Sequence, residues 1–513
     1  MRSTRCLTMS SIASLFCLQA CALPAPSEST EAVNGALSPT SPPPPGPDGE
    51  ACASAPQKTP TRHDEVGGGT KASPYELWNA SQLTSFGRVD SVTASKETYY
   101  VQCKDIDMTA LPYRTRAGLV GGYDGRGHSI IGLVPQQSGG YLDVSSAVGF
   151  IGVLQARAEN LTLRRATVGV TDPEVGYLGT LAGVSIQSTV HNVQVVDSAV
   201  SGKSDDSSWV GGVVGYGVLT DLDELKLHNV TVTARNTSAN QAQGLAGGVV
   251  GRMQVGKISH TSVSLSHITA GVAGGILGFA TDGAVLSDSK ILSSTVSGTY
   301  AGGAGAQLTA ADHLLAQDNI VRGSLQAGGI SAYLHCTSSY LRTTGGEISS
   351  DGMAGGIAGS AFGRNVFRFL RTEDATVVGA EAGGIVGAFI ANSTSECLDA
   401  NPLRRGVSVA EFVDVASTSS VFNGTRHDRV EAVRELVARF PTVRTLVVVD
   451  GVCPDGLRAG VEALPWATAV ADGSGFVSAQ VPAEHPLWVL FSSGTTGLPK
   501  GIVHGHLGVV VEH

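Results

Sequence analysis

Charge is what this sequence has least of. Asp, Glu, Lys and Arg make up 15% of its 513 residues, against about a quarter in ordinary soluble domains. Aromatic residues are scarce at 5%. The net charge of −10 is spread over a long chain without a basic stripe, which argues against nucleic acid as a partner. The eight cysteines contain no CxxC pair and no disulfide-scaffold spacing, so no metal site is expected and any pairing stays open. What replaces these residues is glycine. There are 66 glycines, nearly twice the usual share of about 7%. A chain rich in Gly, Val, Ala, Ser and Thr suits many short strands joined by tight turns, not a disordered polyelectrolyte.

The N-terminus reads "MRSTRCLTMSSIASLFCLQACALPAPS". Arg2 and Arg5 form a positive start, and Leu7 to Leu18 a mostly apolar stretch that suits a secretion signal but is too short to span a bilayer. Leu18-Gln19-Ala20-Cys21 resembles the bacterial lipobox, which implies lipidation of Cys21 and a membrane anchor made of acyl chains alone. Ordinary cleavage near Ala22, with Cys21 lost, is the alternative. Residues 1–21 are thus read as a lipoprotein signal, and 22–69, with "SPTSPPPPGPDGE", as a semi-rigid Pro/Ser-rich stalk.

A hexapeptide then recurs. It starts at Val148, Leu178, Val210, Ala246, Ala273, Ala301, Ala327, Ala354 and Ala382, in forms such as "VGGVVG" and "AGGIVG". From Ala246 onward the period settles near 27 residues. Repetition on this scale means stacked units that cannot bury their apolar faces alone. Between hexapeptides the chain alternates apolar and polar residues, as in "VHNVQVVDSAVSG" from Val190, which indicates half-buried strands. No helical pattern intervenes. A mostly β fold, a right-handed β-solenoid of glycine-rich repeats over 70–400, is the expectation, with glycines supplying close stacking and positive-φ corners.

These repeats resemble the GLUG repeats of bacterial surface proteins and adhesins. The lead-in supports the resemblance: "SPYELWNASQLTSF" from Ser73, "KDIDMTA" from Lys104 and "YDGRGHSIIGL" from Tyr123. It implies a cell-surface or periplasmic location and a glycan or protein ligand, and says little of chemistry. Asp124 and His128 are weighed as catalytic residues and set aside, because successive repeats place no Asp or Glu at one phase. Asn160, Asn229 and Asn236 match glycosylation sequons but read as turn and strand residues.

After Cys397 the pattern changes. Residues 401–420 read as a junction. In "RHDRVEAVRELVARFPTVRTLVVVDG", Val430, Val433, Leu436, Val437 and Phe440 share a helical face, and Leu446 to Val449 is a short apolar strand. A further strand, Leu487 to Phe491, leads into "SSGTTGLPKG". Here Gly494 and Gly497 let backbone amides face an anion, hydroxyls surround them, and Lys500 adds a cation. The pattern is not the Walker loop.

This stretch resembles the phosphate loop of adenylate-forming acyl-CoA ligases. With "VFNGTRHDR" upstream, residues 421–513 are similar to the acetoacetate–CoA ligases, as a partial α/β segment. The resemblance implies ATP and CoA as cofactors, with Ser493, Thr495, Thr496 and Lys500 on the ATP phosphates. In that family the nucleoside, carboxylate and hinge residues lie beyond the part matched here, so turnover is not expected of this chain alone; acyl adenylation needs ATP and acid positioned together. A cytoplasmic ligase segment on an exported chain is a conflict of compartments. Genuine fusion, truncated frame and assembly artefact all remain open explanations.

Overall fold

The computed structural model describes residues 67–390 apart from 89–94, 138–145, 171–175, 205–207, 237–243, 282, 336–337 and 363–365. It also describes residue 52 and the later segments 411–418, 421–422, 425–426, 438, 445–448, 456–465, 486–492 and 500–505.

The fold is mostly β, a solenoid of about 10 turns over 75–388. Its strands pair in parallel from one coil to the next. The nine hexapeptide starts are each other's register partners. Val148 pairs with Leu178, Leu178 with Val210, and Val210 with Ala246. The line continues through Ala273, Ala301, Ala327 and Ala354 to Ala382.

Each glycine of the hexapeptide has its own steric reason. A Cβ on the second, Gly274, would meet the Leu277 carbonyl oxygen of the same coil at 2.0 Å. On the third, Gly275, it would meet the Gly303 oxygen of the next coil at 1.9 Å. On the sixth, Gly278, it would meet the Gly251 oxygen of the preceding coil at 2.3 Å. Coils therefore stack at backbone contact along this line. The interior is filled by small and branched side chains, one continuous cluster from Leu77 to Val377, and their removal from water is the main stabilising term.

Glycines supply part of the positive-φ corners, Gly132 and Gly345 among them, but the hexapeptide glycines do not, and most corner positions are other residues. Asn160, Asn192, Glu224, His260, Asp288 and His313 all have φ between 47° and 56°, and Tyr340 and Phe369 continue the line. A second line runs through Arg165, Asp197, Asn229, Leu265, Ser293 and Asp318. A left-handed L-residue costs about 1–2 kcal/mol. Stacking offsets this. The Asn192 side-chain amide donates to Asn160 Oδ1 at 2.8 Å, and that of Asn229 to Asp197 Oδ1 at 2.7 Å. Just inside the second line, Ser266 Oγ accepts from Val230 N–H, Ser294 Oγ from Ser266 N–H, and Asn319 Oδ1 from Ser294 N–H. Corner donors that the ladder would leave unpaired are thereby satisfied.

The lead-in adds a helix that periodicity did not reveal. Asn79 caps Ala80–Phe86, its Oδ1 accepting from Gln82 N–H at 3.0 Å. Phe86 then stacks on Phe150 and meets the edges of Tyr100 and Tyr123. Arg116, 1% exposed, lies over the rings of Phe86 and Tyr100 and donates to the carbonyls of Gly118 and Phe86.

Beyond residue 400, Glu411–Thr418 pairs in parallel with Val366–Glu373, and Val421–Phe422 with Thr376–Val378. Solenoid pairing thus recurs within the stretches read as junction and as the start of the ligase-like segment. Further on, Thr445–Val448 pairs in parallel with Glu462–Pro465. The helix expected near 430–440 lies outside the described residues, Ala438 excepted.

Candidate functional site

Of the residues singled out by sequence, Cys21, Ser493, Thr495 and Thr496 lie outside the described residues. Lys500 opens the strand Lys500–Gly505, antiparallel to Pro486–Ser492, with Ser492 and Lys500 as register partners. These two strands flank the glycine-rich loop, whose residues 493–499 lie outside the described residues. The second strand was missed in the sequence, although "GIVHG" carries the β-branched residues that favour one.

Asp124 and His128 are not brought together as a catalytic pair. Asp124 Oδ1 accepts from Arg126 N–H at 2.8 Å and from the Asn160 amide at 3.1 Å, so it holds a turn. His128 Nδ1 is 3.4 Å from Asp105 Oδ1. Among the described residues no group of three or more His, Cys, Asp or Glu could hold a metal ion. Cysteine spacing left pairing open, whereas the structure joins Cys52 to Cys103, with Cα atoms 5.3 Å apart.

Among the described residues, a grouping of aromatic and polar side chains packs apart from the interior cluster. The residue before each hexapeptide and the residue following it by one position alternate with the interior side chains along their strands. Tyr177, Trp209, Phe279, Gln307 and Tyr333 among them are half-buried, whereas Leu245, Val272, Tyr300, Val184 and Tyr216 are buried. The hexapeptide folds these two outer rows toward each other. Tyr177, Trp209, Leu245, Val272 and Tyr300 form one row. Val184, Tyr216, Arg252, Phe279, Gln307 and Tyr333 form the other. They pack as two apolar clusters separate from the interior, and Trp209 borders both. Trp209 meets Tyr216 edge-on at 4.7 Å and Tyr177 at 5.0 Å, and Tyr300 lies 5.1 Å from Tyr333.

Arg252 sits in the middle of this face. Its guanidinium lies 4.5 Å from the Trp209 ring centroid, 5.8 Å from that of Tyr216 and 5.9 Å from that of Phe279. The residue is only 9% exposed. Its Nε is buried without a hydrogen-bond partner, and no ion pair forms among the described residues. Burial pulls the Arg252 pKa down, against the opposing influence of Tyr216 and Tyr177. Burial likewise raises the Tyr216 and Tyr177 hydroxyls above their ordinary range. Tyr216 donates to Gln254 Oε1 at 2.8 Å, and Gln254 is exposed. Sequence reasoning missed this face because its members are about one coil apart.

No family model matches the chain. Curated relatives match a limited stretch. The malonamoyl-CoA synthetase vrtB of Penicillium aethiopicum is 33% identical over 102 residues, covering 18% of this chain and 14% of that protein. The acetoacetyl-CoA synthetase of Mus musculus is 31% identical over 102 residues, 18% of this chain and 15% of its own. That of Rhizobium meliloti is 30% identical over 130 residues, 25% and 20% respectively. The resemblance is to a fragment of a CoA ligase. This chain spans about one seventh of the length of the first two relatives. Among solved structures, a Bacteroides ovatus chain assigned as an immunoglobulin A1 protease aligns with a TM-score of 0.34 at 19% identity, covering 54% of this chain and 78% of that one.

Proposed function

We propose that this protein is an exported lipoprotein, anchored through Cys21, whose right-handed β-solenoid presents a binding or adhesive face away from the membrane. The observation that carries the reading is the outer face around Trp209 and Arg252. The half-buried rings of Tyr177, Trp209, Phe279 and Tyr333, beside a cation with no ion pair among the described residues, support recognition at this face. The Cys52–Cys103 disulfide supports export, since disulfides persist in oxidising compartments. The leader sequence, the Pro-rich stalk and the GLUG-like repeats point the same way. The test is protease shaving of intact cells, with and without Cys21→Ser, alongside metabolic labelling with a fatty acid. Labelling at Cys21 and cleavage of the solenoid on intact cells are expected. A solenoid confined to the cytoplasm, with no fatty-acid label at Cys21, would overturn the proposal.

A second reading is favoured by the sequence matches to CoA ligases. On it, residues 421–513 are a partial α/β segment of an acetoacetate–CoA ligase, with Ser493, Thr495, Thr496 and Lys500 cradling ATP phosphates. The antiparallel pairing that sets Lys500 opposite Ser492 is compatible with such a loop. Equilibrium binding of ATP to the full chain, compared with Lys500→Ala, tests it. ATP binding at least tenfold weaker in the variant supports it; no ATP binding by either protein counts against it.

A further inference from the structure

We propose that the outer face around Trp209 and Arg252 binds a carboxylate-bearing polysaccharide, with the acid group seated on the Arg252 guanidinium. This rests on the binding role proposed above and names its site. A guanidinium buried to this extent ordinarily has a carboxylate beside it, because removing a cation from water is unfavourable without compensation. Arg252 has rings instead, at 4.5 to 5.9 Å, and its buried Nε has no acceptor. The fork is therefore held in place, stripped of part of its water and short of an anion. A ligand carboxylate matches that fork in shape and charge. The amide nitrogen of exposed Gln254, whose oxygen accepts from Tyr216, adds a neutral donor.

The shape of the face selects the kind of polymer. Its rows advance one member per coil, about 4.8 Å each, so Tyr177 to Tyr333 spans about 24 Å along the solenoid. A ligand lying along it must offer apolar surface to rings and polar groups to amides and hydroxyls at short, regular intervals. A pyranose chain does this, having C–H faces and a hydroxylated rim on every sugar. A uronic acid unit adds the carboxylate. An extended acidic peptide also brings carboxylates, but its alternating side chains do not give every unit an apolar face.

The experiment titrates the full chain with polygalacturonate, its methyl-esterified form and poly-L-glutamate, using calorimetry or affinity electrophoresis. Polygalacturonate is expected to bind, with at least tenfold loss on esterification and at least tenfold weaker binding of polyglutamate. Arg252→Met keeps an unbranched, polarizable side chain among the rings and should weaken polygalacturonate at least tenfold. Circular dichroism and a melting curve check that the variant is folded. Should it not fold, the acid–ester comparison on the unaltered protein decides alone. Equal binding of acid and ester, polyglutamate binding as tightly, or no binding of polygalacturonate would each overturn the inference. A solenoid displayed on intact cells but indifferent to polygalacturonate fails this inference alone, whereas a solenoid confined to the cytoplasm fails the functional reading beneath it.

Discussion

A Cβ on Gly275 would stand 1.9 Å from the carbonyl oxygen of Gly303 and 2.0 Å from the Ile291 Cδ1 methyl. The Gly275 N–H donates to Gly302 of the same neighbouring coil at 3.1 Å. The two coils therefore meet where neither has room for a side chain. Relief would require the whole ladder to separate, breaking hydrogen bonds on both sides.

Gly275→Ala is expected to destabilise the solenoid by about 3 kcal/mol or more, at the upper end of the range for overpacking. Gly169→Ala is the matched control, since its Cβ would meet only Ser201 O at 3.9 Å. Urea unfolding followed by far-UV circular dichroism should move the midpoint for Gly275→Ala and leave it nearly in place for Gly169→Ala. Equal midpoints would contradict the packing described.

His335 sets a pH limit. Burial pushes its imidazole down from 6.5 to about 4. The folded state then holds it neutral while the unfolded chain takes up a proton near 6.5. This stability is present above pH 6.5 and is lost as pH falls from there towards 4. The full difference amounts to about 3 kcal/mol. Melting temperature measured across this window should fall with acid, and His335→Gln should flatten the slope.

Reduction of the Cys52–Cys103 bond frees a chain segment of 51 residues. Loop-closure entropy for that length predicts a loss of about 4 kcal/mol, as an upper figure. A reducing agent should lower the unfolding midpoint of the native chain and leave a Cys52→Ser, Cys103→Ser variant unchanged. Peptide mapping without reduction should recover the two cysteines linked.

Tyr340 stacks between His313, at 4.3 Å, and Phe369, at 4.5 Å, although it is 46% exposed. Removing both contacts by Tyr340→Ala should cost about 1–2 kcal/mol. Tyr340→Phe should retain most of it, because the stack uses ring faces and not the hydroxyl. Midpoints from thermal unfolding separate the two variants.

Much of the coil was legible in advance. The hexapeptide starts read from the sequence are the residues that pair, from Val148 to Ala382, and the second hexapeptide position is glycine in every one of these coils because a Cβ there would meet a backbone oxygen. Two strands of the C-terminal segment were also legible as apolar runs, and they occur as Thr445–Val448 and Pro486–Ser492. The corners were not. Any polar or even bulky residue adopts the left-handed turn when its stacked neighbours do, so Leu265 and Phe369 carry no local signature.

The chain's own order of residues determined the period, the alternation and the glycine line, since each follows from what one strand and its nearest copy allow. Tertiary structure alone decided that Arg252 lies over Trp209, and that Cys52 meets Cys103. Those partners belong to different coils or to the approach of the lead-in. Their meeting depends on how the coils advance and how the two outer rows fold together at each hexapeptide, a geometry that no short window of sequence contains.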